Sequence, residues 1–392
     1  MTSKSHCTTS SPLSQPGDRT TRRQFLRGAS AAAGLLAARR IGAVADSIHP
    51  PADVVLRIAP LKVDIARGQS ISTIGYNGAV PGPLIRFREG VTASVEIFNE
   101  TDLPEYVHWH GFEIPTEVDG AEEEGSLVVP AHGRLRYRLT PTPAGSRYVH
   151  THAMSMANLD RGTFTGQFGP VWIEPGNNPG RYDQEISLAT HEWGPYLSHQ
   201  EEEVDSSAQH GQSQPKPAED VEAGCEVHYR HFTINGKCLG FGDPIRVKEG
   251  QRVLFHILNA SATENVRLAL PGHKFQVVAL DGNPVPRPQS VEVLELGTAE
   301  RIDAVVTMNS PGVFILGTPN DNHRKKGMGI VVEYANRSGA PQWLKPAAAS
   351  WDYTIFGETR AASKPGAAVP LVFRKRGLSK EGIEEWSING KC

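Results

Sequence analysis

YNGAVPGPLIRFREG, running from Tyr76 to Gly90, has a counterpart in INGKCLGFGDPIRVKEG, Ile234 to Gly250, with Asn77 and Asn235 falling 158 residues apart. Each copy leads into a strand-like stretch that ends in an asparagine turn, FNET in the first and LNAS in the second. SINGKC, Ser387 to Cys392, then repeats TINGKC, Thr233 to Cys238, in five of six positions, and Asn389 follows Asn235 by 154 residues. Self-similarity at a fixed spacing of about 155 residues marks a repeated structural unit. Two complete units and the first stretch of a third are expected.

Working outward from the repeat, the apolar period is two. In RLRYRLT, Leu135, Tyr137 and Leu139 share one face while Arg134, Arg136 and Arg138 share the other, the pattern of a half-buried strand. Comparable runs fall at Val91 to Phe98, Arg252 to Leu258 and Val291 to Leu296, each bounded by glycine, proline or asparagine. Long amphipathic helices are missing. Glycine and proline, 39 and 29 residues, form about 17% of the 392-residue chain against roughly 12% in average usage, which favours short elements joined by turns and excludes a helical bundle or coiled coil. Between Ser198 and Gly224 the chain turns polar and acidic and reads as a solvated connector.

Charge divides the chain. Residues 1–45 carry seven basic side chains against Asp18 alone, which leaves 33 basic and 42 acidic residues and a net charge of −9 for the remainder. An acidic body without a dense basic run argues against nucleic acid or an anionic membrane surface as the main partner. TRRQFLR at Thr21–Arg27, the apolar run Ala31–Ala38 and the small residues Ala43-Val44-Ala45 follow the order of an export signal, and the paired arginines resemble a twin-arginine leader ending at residue 45. The apolar run is too short to span a bilayer, and no later stretch reads as a transmembrane segment. A periplasmic or otherwise exported protein is expected. Of the four cysteines, Cys7 lies in the leader; Cys225 with Cys238 is open as a disulfide or as two thiols, and Cys392 is left over.

Histidine carries the chemistry. HWHG places His108 and His110 two residues apart, and HTH does the same for His150 and His152. Residues i and i+2 of a strand point to one side, so two such strands laid together converge four imidazoles. Fifteen histidines in 392 residues put the chance number of His-x-His pairs at about 0.6, so two pairs within 45 residues stand above composition. Neutral imidazoles without carboxylates suit copper or zinc rather than magnesium or calcium.

With these motifs in place, the chain after residue 52 resembles the multicopper oxidases, the family of laccases and bacterial copper oxidases. The resemblance is carried by HWHG, EVDG, YVHTH and VWIEP in the first unit and by INGK, HILNAS, LPGHKFQVVALDG and LGTAERIDAVV in the second. It implies an all-β protein of tandem cupredoxin domains, each a Greek-key β-sandwich, over 52–176 and 177–347, with the start of a third over 348–392. It further implies that His108 binds a type 2 copper, that His110 and His150 share one type 3 copper, and that His152 binds the other. Asp119 matches the acidic residue that supports proton delivery during dioxygen reduction; the weaker alternative, from its Asp-Gly context, is a turn residue. His273 reads as a structural histidine. His191, His199, His210, His228 and His231, in or near the polar connector, read as solvated. Met154 and Met156 read as packing residues or as a weak thioether site for cuprous ions.

The sequence also departs from the family. The mononuclear type 1 copper site needs a thiolate with two histidines, supplied in the family by a His-Cys-His stretch, and no cysteine here has such neighbours; the His-x-x-His-x-His stretch that completes the trinuclear cluster is missing too. The expectation is a copper-dependent oxidoreductase whose cluster is half supplied by this chain. A missing third domain or another subunit would complete it, with O2 and a small reducing substrate or metal ion as reactants. The alternative is an exported, non-catalytic copper-binding or protein-binding cupredoxin module. Zinc hydrolase patterns fit less well, because aspartate and histidine do not follow His-x-His as a metallo-β-lactamase requires and the helices of a (β/α)8 barrel are missing. A copper nitrite reductase would need a cysteine beside the first unit's histidines.

Overall fold

Burial alternates along VVLRIAPLKVDIA, which makes β1 (Val54–Ala66) a strand with two roles: Leu56 and Ile58 enter the core of the first sandwich, whereas Val63 and Ile65 pack against the second. Seven more strands complete the first unit: β2 (Gln69–Tyr76), β3 (Ile85–Arg88), β4 (Ala93–Asn99), β5 (Val107–His110), β6 (Arg134–Leu139), β7 (Gly145–Thr151) and β8 (Phe168–Glu174). They form two four-stranded sheets, ordered β2-β1-β4-β6 and β3-β8-β7-β5, with β1 parallel to β4 and β3 parallel to β8. This computed structural model describes residues 50–155, 158–176, 181–199, 225–348, 350–358, 367–378 and 384–391. The leader, most of the polar connector, Cys7, Met156, His210 and Cys392 lie outside the described residues.

The second unit repeats the pattern. Its strands are β9 (Gln184–His199), β10 (Cys225–Ile234), β11 (Ile245–Val247), β12 (Arg252–Asn259), β13 (Val266–Ala269), β14 (Phe275–Leu280), β15 (Asn283–Val291), β16 (Val293–Leu296), β17 (Arg301–Thr307), β18 (Val313–Gly317) and β19 (Gly329–Tyr334). The sheets run β10-β9-β12-β17-β14-β15 and β11-β19-β18-β13-β16. The first four strands of each reproduce the order of the first unit, parallel pairs included. By that correspondence β13, VRLA, occupies the place of β5, VHWH. Strands β20 (Phe373–Leu378) and β21 (Glu384–Ile388) then form an antiparallel hairpin.

The repeated asparagine shows why the three copies share a sequence. Asn77, Asn235 and Asn389 sit at φ 52°, 51° and 53°, a left-handed conformation that asparagine tolerates and that glycine follows at the next position. In each copy the side-chain oxygen accepts from a backbone N–H of the strand region before the hairpin: Arg57 at 2.7 Å, Ala189 at 2.8 Å and Val372 at 2.9 Å. The side-chain amide donates to a carbonyl two residues earlier: Val55 at 2.9 Å, Ser187 at 3.1 Å and Pro370 at 3.1 Å. In each of the three copies one side chain thus ties the asparagine turn back to the strand region that precedes it.

The strand readings hold with shifted ends. Val91–Phe98 becomes β4 from Ala93, and Val291–Leu296 is divided at Glu292 between β15 and β16. The connector expected from Ser198 begins later, since β9 and β10 remain paired out to His199 and Cys225. Cys238 is a free, buried thiol, its pKa pushed up to about 11 by burial, so the disulfide with Cys225 is not formed. His191 corrects an expectation of solvation: at 1% exposure its ring lies against Phe168, and its Nδ1–H donates to the Ala260 carbonyl at 2.8 Å. His228 and His231 are half-buried in β10, and the His199 side chain lies outside what is described. His273 is structural, its ring bonded to the Pro271 carbonyl at 2.8 Å and the Tyr334 hydroxyl at 2.6 Å. Met154 is 68% exposed, contrary to the packing reading. Among the described residues no helix is long and apolar enough to cross a membrane.

Candidate metal centre

The site is built by the apolar half of β5. Val107 and Trp109 are buried, Trp109 fully, with its ring edge-on to Phe87 at 5.7 Å and its Nε1–H donating to the Tyr137 hydroxyl at 2.7 Å. Since strand neighbours point to opposite faces, fixing those two inward turns His108 and His110 outward together. β7 pairs antiparallel with β5 and sets His150 directly opposite His108, and Tyr148 opposite His110. His152 lies one residue past β7, where its backbone N–H donates to the Tyr106 carbonyl at 2.8 Å and prolongs the ladder.

Four imidazoles consequently converge. The His108 ring centre lies 5.4 Å from that of His110 and 5.2 Å from those of His150 and His152, and His150 and His152 stand 6.1 Å apart. Ligand atoms of His108, His110 and His150 all fall within 4.8 Å of one another. His152 joins that group by ring proximity and not by this closer criterion.

Hydrogen bonds choose the free nitrogens. His108 Nδ1–H donates to the Asp119 carbonyl at 2.8 Å and His150 Nδ1–H to the Thr151 carbonyl at 2.8 Å, which leaves each Nε2 bare. His150 Nε2 then faces His110 Nδ1 at 3.4 Å. Two imidazole nitrogens held at metal bonds of about 2.0–2.1 Å and a tetrahedral angle stand about 3.3–3.4 Å apart, so this pair has the spacing of a shared ion. Charge agrees with geometry. Burial, then the positive charge of Arg301 and the neighbouring imidazoles, lowers the His110 pKa to about 3, and burial followed by His108 and His110 holds His150 well below its ordinary value. Both are neutral near pH 7, the state in which imidazole binds a metal. The donor set, imidazole nitrogen without carboxylate, fits copper.

Asp119 ends the one-turn helix α1 (Thr116–Asp119), and Gly120 follows it at φ 82°. A Cβ at Gly120 would stand 2.1 Å from the Val107 carbonyl oxygen, so only glycine lets α1 press onto β5. This contact brings Asp119 Oδ1 within 3.3 Å of His108 Nδ1, buried and otherwise without a hydrogen bond, with a pKa raised chiefly by burial.

Family models described as multicopper oxidase match residues 58–178 and 197–336 of the chain. The chain belongs to the multicopper oxidase family. It is similar to multicopper oxidase MmcO of Mycobacterium tuberculosis, 28% identical over 93% of this chain and 73% of that protein. Copper resistance protein A of Pseudomonas syringae pv. tomato is 25% identical over 74% of this chain and 52% of its own length, so the match spans about half of that relative. The blue copper oxidase of Nitrosomonas europaea shares the fold, with a TM-score of 0.59, 24% identity and coverage of 72% of this chain and 85% of that one. Multicopper oxidases are copper-dependent oxidoreductases, and the tandem cupredoxin architecture expected from the sequence is the one found.

Within this multicopper oxidase chain, strand register explains why the second unit does not repeat the cluster among the described residues: β13 sets Ala269 opposite Gly317 where β5 sets His108 opposite His150. Two functional neighbours escaped the sequence reading. Arg147 and Arg301, 2% and 5% exposed, lie beside the cluster, where Arg301 stands over the Tyr148 ring at 5.6 Å and depresses the His110 pKa. Arg147 alternates like a solvent-facing strand residue, and Arg301 sits in LGTAERIDAVV without a spacing signal. Only the packing of the second unit on the first buries them.

Proposed function

We propose that this chain supplies half of the histidine cage of a trinuclear copper cluster in an exported oxidase. That enzyme removes single electrons from a small reducing substrate, a phenol, an aromatic amine or a low-valent metal ion, and reduces dioxygen to water. The observation that carries this reading is the pair of facing nitrogens, His110 Nδ1 and His150 Nε2 at 3.4 Å, beside His108. His108 would hold the type 2 copper, His110 and His150 would share one type 3 copper, and His152 would hold the other. Copper bound there supplies one-electron redox chemistry and dioxygen reduction. The remaining histidines and the type 1 thiolate come from a further cupredoxin domain, in the same polypeptide or in another subunit.

The chain's own residues prepare that site. The Asp119 and Thr151 carbonyls orient His108 and His150 through their Nδ1–H groups. Arg301 and Arg147, buried on the His110 side, favour its neutral form. Asp119 holds or releases a proton at Oδ1 beside His108, the role its place in EVDG implies. Domain limits of 52–176, 177–347 and 348 onward are part of this reading, as is export: Arg22-Arg23, the apolar run and the small residues before Asp46 support the twin-arginine route to the periplasm.

The test is copper content. Dialysed, copper-loaded protein and its His150→Ala variant are compared by plasma mass spectrometry and by circular dichroism. A loss of at least one copper per chain with an unchanged fold is expected; unchanged copper content contradicts the ligand assignment.

A further inference from the structure

Two guanidinium groups are buried where the second unit meets the first, Arg147 in β7 and Arg301 at the start of β17. A Cβ on Gly111, the residue after His110, would stand 3.0 Å from both Arg147 Cδ and Arg301 Nη2, so both side chains close over that corner of the site. Arg301 also stands over the Tyr148 ring at 5.6 Å, and the same ring lies 4.6 Å from that of His110 and 4.7 Å from that of His150. The Arg301 charge and the two facing histidines thus border one aromatic ring.

These charges are held in place without being cancelled there. Arg147 Nη1 donates to the carbonyls of Ser146, at 3.1 Å, and Asp281, and its Nη2 to the Ala144 carbonyl at 3.1 Å and to Asn283 Oδ1 at 3.2 Å; none of these oxygens is a carboxylate. Arg301 donates to the Ala299 carbonyl at 2.5 Å and the Asp281 carbonyl at 3.3 Å. Among the described residues its ion-pair partner is Asp281 Oδ1, 3.2 Å from Nη1 and on a side chain 49% exposed, where water and salt screen it more than they screen the buried guanidinium. The anchors belong mostly to the second unit, in the turn between β14 and β15, although the metal-ligand grouping found among the described residues lies in the first.

Resting on the reading of the histidines as a copper site, we propose that Arg301 of the second unit, with Arg147 beside it, raises the reduction potential of copper held at His110 and His150. Cupric ion carries one more positive charge than cuprous ion, so a fixed cation in a buried setting disfavours the oxidised form more than the reduced one. The step concerned is the gain of one electron by cupric ion, with the electron drawn from the reducing substrate. No bond to either arginine forms or breaks, and both guanidiniums stay charged throughout. The second unit therefore serves the metal centre of the first by charge and not by ligands.

Anaerobic potentiometry of the copper-loaded full chain, followed by the cupric paramagnetic resonance signal, tests this without turnover. Copper stoichiometry and circular dichroism are recorded on each sample. Arg301→Gln is expected to lower the midpoint potential and Arg301→Lys to keep it near the parent value. Asp281→Asn, which strips the exposed counter-charge and keeps an acceptor oxygen, is expected to raise it. A folded, copper-bound Arg301→Gln protein at the parent potential overturns the proposal, as does an Arg301→Lys protein that falls as far, and both leave the copper site intact. If Arg301→Gln does not fold, Asp281→Asn decides alone: a rise supports the proposal, and an unchanged or lower potential overturns it. Failure of the parent chain to bind copper overturns the copper site itself, and the proposal with it.

Discussion

At the scale of single residues, Trp109 sets the direction of the histidines on either side of it. Its indole fills the first core, and its burial dictates that the residues on either side face outward. Trp109→Ala is expected to cost about 3–5 kcal/mol, the usual range for emptying a buried aromatic site, and to weaken copper binding in the same variant. Urea unfolding with a parallel copper titration checks both; a loss under about 1 kcal/mol would show that β5 is fixed by other means. The histidine pairs were legible in the sequence because their chemistry is local and strand periodicity aligns i with i+2. His191 was not, because nothing in its neighbourhood announces that Phe168 of another unit covers it.

Among elements, the hairpin tips are the repeating device. The Asn235 side chain makes two backbone hydrogen bonds in a left-handed conformation, and losing a buried bond costs about 1 kcal/mol or more, with the backbone penalty added. Asn235→Ala is therefore expected to lose about 2–3 kcal/mol, and Asn235→Gly less, because glycine keeps the conformation. Denaturant midpoints of the two variants separate these contributions; equal losses would mean that φ does not matter there. The turn itself was readable from the repeat. Strand order was not, since parallel pairs such as β1 with β4 join segments whose registers no local pattern encodes. The same limit hid the substitution of VRLA for VHWH at the corresponding place in the second unit.

For the molecule as a whole, a buried polar chain crosses from one sandwich to the other. Ser146 of β7 bonds His256 at 2.8 Å, His256 Nδ1–H donates to Asp303 at 2.7 Å, and Glu185 lies 3.4 Å from His256 Nε2 while pairing with Arg86. Burial alone would lower the His256 pKa, but Asp303 and then Glu185 outweigh it and lift it to about 9, above its ordinary 6.5. Its hydrogen bond with His256, and then its pairing with Arg86, lowers Glu185 to about 2 from 4.5, against the opposing effect of burial. The histidine contribution is thus complete below about pH 6.5 and fades as pH rises toward 9; that of Glu185 is complete above about pH 4.5 and fades as pH falls toward 2. The interface should be firmest between those limits. Calorimetry at constant ionic strength is expected to show Tm falling from pH 6.5 to 9, with the slope reduced in His256→Ala; an identical slope would remove His256 from the explanation. His256 and Asp303 lie 110 and 157 residues from Ser146 in sequence, beyond the reach of any motif.

That interface also holds β7, and with it His150, in place beside His108 and His110. The most direct measurement of the proposed copper site is anomalous diffraction from a crystal of the copper-loaded protein, recorded on both sides of the copper absorption edge. The expected result is a peak between His110 Nδ1 and His150 Nε2 and another at His108. Copper peaks elsewhere, with none at these three histidines, would contradict the assignment of this cluster as the metal centre.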